Sequence, residues 1–500
     1  MGMNTVQSRK IGMTVILILA AVLALLPAAV GFYLSFLDYQ SSAGLFSSPS
    51  VGFRNYSSLL SLPGFPRLAT NSFLLWLVGL VFSLVLAVPA ALLCSMIKNR
   101  KTAATCAGLF LLPAFIPAAA YFVLVLRVFS SMVFIKDSLY VFGYAAQTAF
   151  PSAALIAFAG AVTGLVYRAR GRNAVRGSLL GCLYAVLLFG FLSVMPQHEA
   201  SQLSANPLVY ARADTLDGFS YRNGIMQMQV SPGATVAVMR GILQIVLSFI
   251  PAALLIVLLR KQTPLPTQTP PPPAASGIGP DARSILSKTA WLAAAVVAAA
   301  LLFAMGVPAF GAITQIMTPF TTSIIMSVLS IIIGLVMSYA LLAGAAGSGS
   351  TVSIIVAAVV LASSNSLIGQ YMLALPLGLV NTMIPTVLTQ WMQTPALLLI
   401  FLFAVLLRLG DNKKAAIPFA AGAALFIGAQ AFGSAFPVIL YANNPSLFTM
   451  GLVFKNIANG PAGRDAGLLA LVYAATLLPC LLLGLAAAFM TRRAIEKLVS

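Results

Sequence analysis

The 500 residues are 60% hydrophobic and only 7% charged, with a mean hydropathy of +1.00, so too few polar side chains exist to cover a soluble globule. The formal charge of +19 comes from basic residues lying between apolar runs, not from a stripe with interleaved aromatics, and this argues against a nucleic-acid surface. One histidine, nine acids scattered in loops and four unpaired-looking cysteines, Cys94, Cys106, Cys182 and Cys480, argue against an enzyme, a metal centre or a disulfide framework, so neither catalytic residues nor a cofactor is expected in this chain.

Continuous rather than alternating apolar runs exclude a barrel, and the length accommodates about 12 helices of roughly 20 apolar residues each. The expected fold class is an all-α polytopic membrane protein. Ile11 to Phe36 is too long for a cleaved signal peptide and reads as the first helix. An interfacial segment with Asp38, Tyr39, Phe53, Arg54, Tyr56 and Arg67 follows, then a helix over 70–97 and the basic turn Lys98 to Lys101. The next helix, 104–126, is expected to kink at Pro113 and Pro117. A polar piece at 127–144 leads to a helix over 145–167, the arginine-rich loop Arg168 to Arg176 and a helix over 178–195. The loop 196–233 carries His198, Glu199, Asp214 and Asp217, with His198 and Glu199 read as a solvated external pair, and precedes a helix over 234–259 in which Arg240 is read as snorkelling.

Lys261 to Ser284 interrupts the apolar sequence, and its four consecutive prolines, Pro270 to Pro273, lack amide donors and favour extended polyproline II. It divides the chain into 1–260, a linker at 261–284 and 285–500. The second part repeats the plan, with helices expected near 285–307, 321–343, 351–373, 395–407, 415–436 and 467–490, with Pro385 an alternative start for the fourth. The positive-inside rule puts the basic turns, the linker and both termini in the cytoplasm. Each six-helix module then begins and ends inside, as in parallel repeats. Pro207 to Tyr210 followed by Thr215, and Pro437 to Tyr441 followed by Thr449, open two similar external loops.

The glycine-rich Gly344 to Thr351 has no lysine and follows no strand, so it reads as an interhelical turn and not a phosphate loop. Ser363, Ser364, Asn365, Gln370 and Gln430 are uncharged polar groups within apolar runs, placed to line a solute path or to join helices. Amides and hydroxyls that both donate and accept suit hydroxyl-rich solutes. No carboxylate lies at the centre of an expected helix, which disfavours an ion-coupled 12-helix secondary transporter.

Several stretches carry a family likeness. FPVILYANNPSLFTMGLVFK and the sequence following it to Lys497, LPLGLVNTM at 375–383, VGFRNYSSLL at 51–60, ATNSFLLW at 69–76 and FLLPAFIPAAAYFVLVLRVF at 110–129 resemble permease subunits of maltose-type carbohydrate ABC importers. The resemblance implies two fused type I transmembrane domains in a bacterial inner membrane. It also implies sugar or oligosaccharide transport by alternating access, separate ATPase subunits and an extracytoplasmic solute-binding protein, with membrane lipid the remaining partner. Fused permeases also occur among iron and thiamine importers, so fusion leaves the solute open. In that family a cytoplasmic loop opening on Glu-Ala-Ala docks the ATPase. The corresponding loops here, with ATPase-facing candidates Arg168, Arg170, Arg172, Arg176, Asp411, Lys413 and Lys414, lack that triplet. A permease-like protein without ATP coupling, structural or regulatory, is therefore the alternative expectation.

Overall fold

Apolar segments that meet lipid must close their backbone hydrogen bonds internally, and this chain does so with helices. In the computed structural model, the described residues are 25–129, 137–192, 209–261, 310–347, 367–392, 394–410, 413–433, 435–459 and 465–499, with 22 and 308 standing alone. The linker after Lys261, the helix expected at 285–307, the start of the first helix and most of that expected at 351–373 lie outside them. Six helices are long and apolar enough to cross a membrane, or seven if one bent pair counts as a span, and three shorter apolar helices accompany them. The chain is an all-α polytopic membrane protein. Extended pairing among the described residues is limited to the isolated bridge Leu37–Ser50.

The helices are α1 (Leu25–Leu34), α2 (Gly44–Ser47), α3 (Arg54–Leu60), α4 (Phe65–Met96), α5 (Arg100–Leu109), α6 (Leu112–Phe115), α7 (Ala118–Phe129), α8 (Asp137–Ala169), α9 (Ala174–Leu192), α10 (Tyr210–Ala213), α11 (Leu216–Tyr221) and α12 (Val230–Lys261). Beyond the linker come α13 (Ile313–Gly347), α14 (Leu367–Ala374), α15 (Ile384–Thr389), α16 (Thr394–Gly410), α17 (Ala416–Gly433), α18 (Phe436–Tyr441), α19 (Met450–Asn459) and α20 (Ala466–Val499). Short polar residues fix several starts by accepting from the first free amides. Asn99 accepts from Lys101 N and Thr102 N, Asn173 from Val175 N and Arg176 N, and Asp465 from Gly467 N and Leu468 N.

Several boundaries differ from expectation, and two of the differences have a clear packing cause. Residues 137–144 belong to α8 rather than to a polar connection, because Tyr140 and Tyr144, one turn apart, are both buried. The last helix does not stop near Met490 but continues to Val499, its final turns burying Ala494, Ile495 and Leu498 while Arg492 pairs with Glu496. Lys497 there donates to the Lys414 carbonyl, so α20 braces the turn that joins α16 to α17.

The loops at 209–221 and 436–459 are built alike. Thr215 and Thr449, both fully buried, each precede a short helix, and their carbonyls accept from Phe219 N and Val453 N four residues on. The next amide is bound by a serine of a long helix: Leu216 N donates to Ser72 Oγ on α4 at 3.0 Å, and Met450 N to Ser323 Oγ on α13 at 2.8 Å. Beside each serine, Asn71 donates to the Ala211 and Asp214 carbonyls and Thr322 to the Ser446 carbonyl. TNSFLL at 70–75 thus matches TTSIIM at 321–326 in contacts as well as in sequence. Each serine satisfies a buried amide, so Ser72→Ala and Ser323→Ala should each cost about 1–3 kcal/mol. Their effects in the double variant should add, as thermal melts of the purified chain would show.

Candidate translocation site at a broken helix

The helix expected over 104–126 is broken, not merely kinked. Pro113 and Pro117 lie four residues apart, and the arms Arg100–Phe115 and Ala118–Val125 meet at 81°. A break frees backbone carbonyls that lipid cannot satisfy, so irregular backbone at this depth must be enclosed by protein or face a polar cavity. Two freed carbonyls have side-chain donors. Tyr121 Oη donates to Pro113 O at 2.7 Å, and Gln430 Nε2, from the other half of the chain, donates to Ala114 O at 3.4 Å.

The second half closes around this break. Phe115 meets Phe426 edge-on with ring centres 5.1 Å apart. A Cβ at Gly433 would collide with Pro117, one at Gly484 would touch Leu112 and Phe115, and one at Gly108 would lie 2.7 Å from the Ala488 carbonyl. Small residues therefore let α17 and α20 approach both arms closely. The reciprocal contact exists too: Ile368 of α14 lies against Gly224, in the turn that precedes α12, and against Gly233 in the first turn of α12.

Among the expected pathway residues, Ser363, Ser364 and Asn365 lie outside the described residues. Gln370 is buried and accepts from Tyr441 Oη at 3.5 Å, whereas Gln430 is half-buried at the break.

Two groups absent from the expected set stand out. Gln390 is 1% exposed in the turn between α15 and α16, and neither its amide nitrogen nor its oxygen has a partner among the described residues. Thr386, one turn earlier, buries an equally unpartnered hydroxyl. Their segment packs against α13, α17 and α18. The four-residue spacing of Thr386 and Gln390, which puts both on one face of a helical segment, is the signal the sequence offered.

Of the residues expected to face an ATPase, Arg168 is turned inward onto its own chain. Its Nη1 donates to Ser95 O and Ile97 O, and its Nη2 to Lys98 O. Arg170 is half-buried, whereas Arg172, Arg176 and Lys414 are exposed. Asp411 lies outside the described residues, and Lys413 belongs to the short 3-10 turn before α17. Helices α8 and α9 are joined by only four residues, 170–173, so this turn contains no docking helix.

The corresponding correction concerns charge on the opposite side of the chain. Arg240 does not snorkel: it forms an ion pair with Asp217, the side chains 4% and 3% exposed, while His198 and Glu199 lie outside the described residues. Asp214 pairs with Arg222 nearby at 3.1 Å, and burial pushes the Tyr221 phenol up to about 12.

No family model matches this chain, and no curated protein matches it. Among solved structures the chain is similar to a bacterial ABC transporter involved in the import of the acidic polysaccharide alginate, at 16% identity and a TM-score of 0.36, over 43% of this chain and 85% of that one.

Proposed function

We propose that this chain is the transmembrane permease of an ABC-type importer for a sugar or oligosaccharide. Its two halves rock between inward- and outward-open states around the broken helix. ATP hydrolysis resides on separate subunits, and an extracytoplasmic binding protein delivers solute at a bacterial cytoplasmic membrane. The observation carrying a solute path is the orphaned amide of Gln390, with the Thr386 hydroxyl beside it in sequence. A buried polar group without a partner costs about 1–3 kcal/mol, and a polar guest can relieve that cost. The ABC assignment within that reading rests on the sequence resemblance at 51–60, 69–76, 110–129, 375–383 and 436–497.

Gln390→Met keeps the side-chain length and removes the amide. Labelled-saccharide uptake by cells carrying it should fall at least tenfold while the melting temperature of the purified protein holds or rises. Unchanged uptake would remove Gln390 from the path. The ABC assignment itself predicts co-purification with a nucleotide-hydrolysing subunit, and it fails if uptake persists after every candidate ATPase is deleted.

The four-residue turn between α8 and α9 favours a second reading, a permease-like protein that has lost ATP coupling. On that reading no ATPase co-purifies, and grafting a Glu-Ala-Ala helix between Leu409 and Lys414 confers no ATP-dependent uptake.

A further inference from the structure

The basic residues at the Lys98 end of α4 and at the α8–α9 turn form one platform. Arg168 welds the two turns together through its bonds to the Ser95, Ile97 and Lys98 carbonyls. The helices approach closely below it, since a Cβ at Gly164 would meet both Ser178 of α9 and Ser95 of α4. Lys98, Arg100, Lys101, Arg172 and Arg176 are exposed around this junction. Acids are sparse in this part of the sequence: between Asp38 and Glu199 the chain has a single acidic residue, Asp137, which begins the 33-residue helix that ends beside Arg168. At 1.5 Å per residue that places it about 50 Å away.

Apolar side chains continue directly from the charged edge. Leu93 and Met96 are 67% and 66% exposed just before Lys98, and Val175, Leu179 and Leu183, spaced by four on α9, are exposed just after Arg172. A cationic rim above an uncovered leucine stripe matches the boundary between phosphate headgroups and acyl chains. The turn at 413–415 differs, because α20 braces it through Lys497; Glu496 of α20, which also packs against α5, is paired with Arg492.

We propose that the platform formed by Lys98, Arg100, Lys101, Arg172 and Arg176 binds the phosphodiester headgroup of anionic phospholipids in the bilayer. A soluble acidic protein is the less suitable occupant, because the rim borders lipid-facing leucines and no segment projects from it. Arg168 is the positioning residue that holds the two turns together.

The test uses the full chain, delipidated in neutral detergent and titrated with phosphatidylglycerol, cardiolipin or phosphatidylcholine, with lipid retention read by native mass spectrometry and stability by thermal melts. Wild type should retain the anionic lipids and gain thermal stability from them, with no gain from phosphatidylcholine or from inorganic phosphate. The variant Lys98→Gln, Lys101→Gln, Arg172→Gln, Arg176→Gln should bind anionic lipid at least tenfold more weakly while melting like wild type in phosphatidylcholine. Arg54→Gln with Arg67→Gln, which neutralises charge on α3 and in the first turn of α4, at the opposite end of that helix, should leave lipid binding unchanged. The proposal is overturned if the quadruple variant keeps wild-type affinity, if phosphatidylcholine or free phosphate acts equally well, or if the Arg54/Arg67 variant loses as much. It is also overturned if neutralising the four residues abolishes capture of an ATPase subunit while lipid binding persists. Should the quadruple variant fail to fold, Arg172→Gln with Arg176→Gln alone carries the same comparison, with at least a threefold loss expected.

Discussion

Replacing Asp217 with alanine should unfold or severely destabilise the first half of the protein, by about 3–5 kcal/mol. Asp217 and Arg240 form an ion pair from which water is almost wholly excluded. Leu216 and Val236, the neighbours of Asp217 and Arg240 in their helices, lie in an apolar cluster with Leu59, Phe65 and Leu68. Losing the carboxylate leaves a guanidinium buried without its counter-charge, which costs far more than the pair itself contributes. Arg240→Ala should therefore do comparable damage from the other side. The double variant Asp217→Leu, Arg240→Met removes both charges at similar volume and should recover most of the loss, because well-packed apolar replacements of buried pairs are often neutral. Asp214 and Arg222 supply the contrast. Their side chains are 16% and 32% exposed, so Asp214→Asn should cost no more than about 1 kcal/mol. Folded yield and melting temperature of the four variants in one detergent would decide the matter, and equal melting of Asp217→Ala and Asp214→Asn would refute the asymmetry.

That ion pair also shows where sequence reading stops. Arginine in an apolar helix and aspartate in a loop have familiar solvated readings, and only the docking of α11 on α12 brings residues 23 positions apart into contact. The long helices were legible because lipid demands continuous apolar runs. The end of α20 was not, since beyond Met490 the pattern becomes amphipathic, with Ala494, Ile495 and Leu498 on the buried face. Pro113 and Pro117 announced a bend but not its size. An 81° break is stable because Tyr121 and Gln430 satisfy the carbonyls it frees, and Gln430 lies 316 residues from its acceptor.

The candidate site was legible in kind rather than in place. Choosing uncharged amides within apolar runs found Gln370 and Gln430, and the structure gives each a hydrogen bond. Gln390 escaped that choice because it sits at the edge of α16, where a turn residue looks unremarkable until burial on every side removes its solvent. The paired loops were faintly visible through Thr215 and Thr449. Their meaning emerges from Ser72 and Ser323, which accept the same amide in each half.

Gly181→Val should collapse the packing of α8 against α9, at a cost of about 3 kcal/mol, the upper end of what overpacking commonly exacts. Gly160 and Gly164 on α8, and Gly177 and Gly181 on α9, have the four-residue spacing that lets transmembrane helices approach backbone to backbone. A Cβ at Gly181 would press into the Ala159 carbonyl and lie 2.6 Å from Thr163 Oγ1. One at Gly177 would lie 2.7 Å from the Tyr167 ring and 3.0 Å from the Thr163 carbonyl. A rotamer change can move a hydroxyl but not a carbonyl within an α-helix, so the two helices must separate. Gly181→Ala should already lower the melting temperature, and valine should lower it further. Gly241 on α12 has nothing within 4 Å of where its Cβ would stand, so Gly241→Ala should be neutral or stabilising by up to about 1 kcal/mol, through helix propensity and a restricted unfolded chain. If Gly181→Ala melted with Gly241→Ala, the close approach of α8 and α9 would not be a determinant of stability.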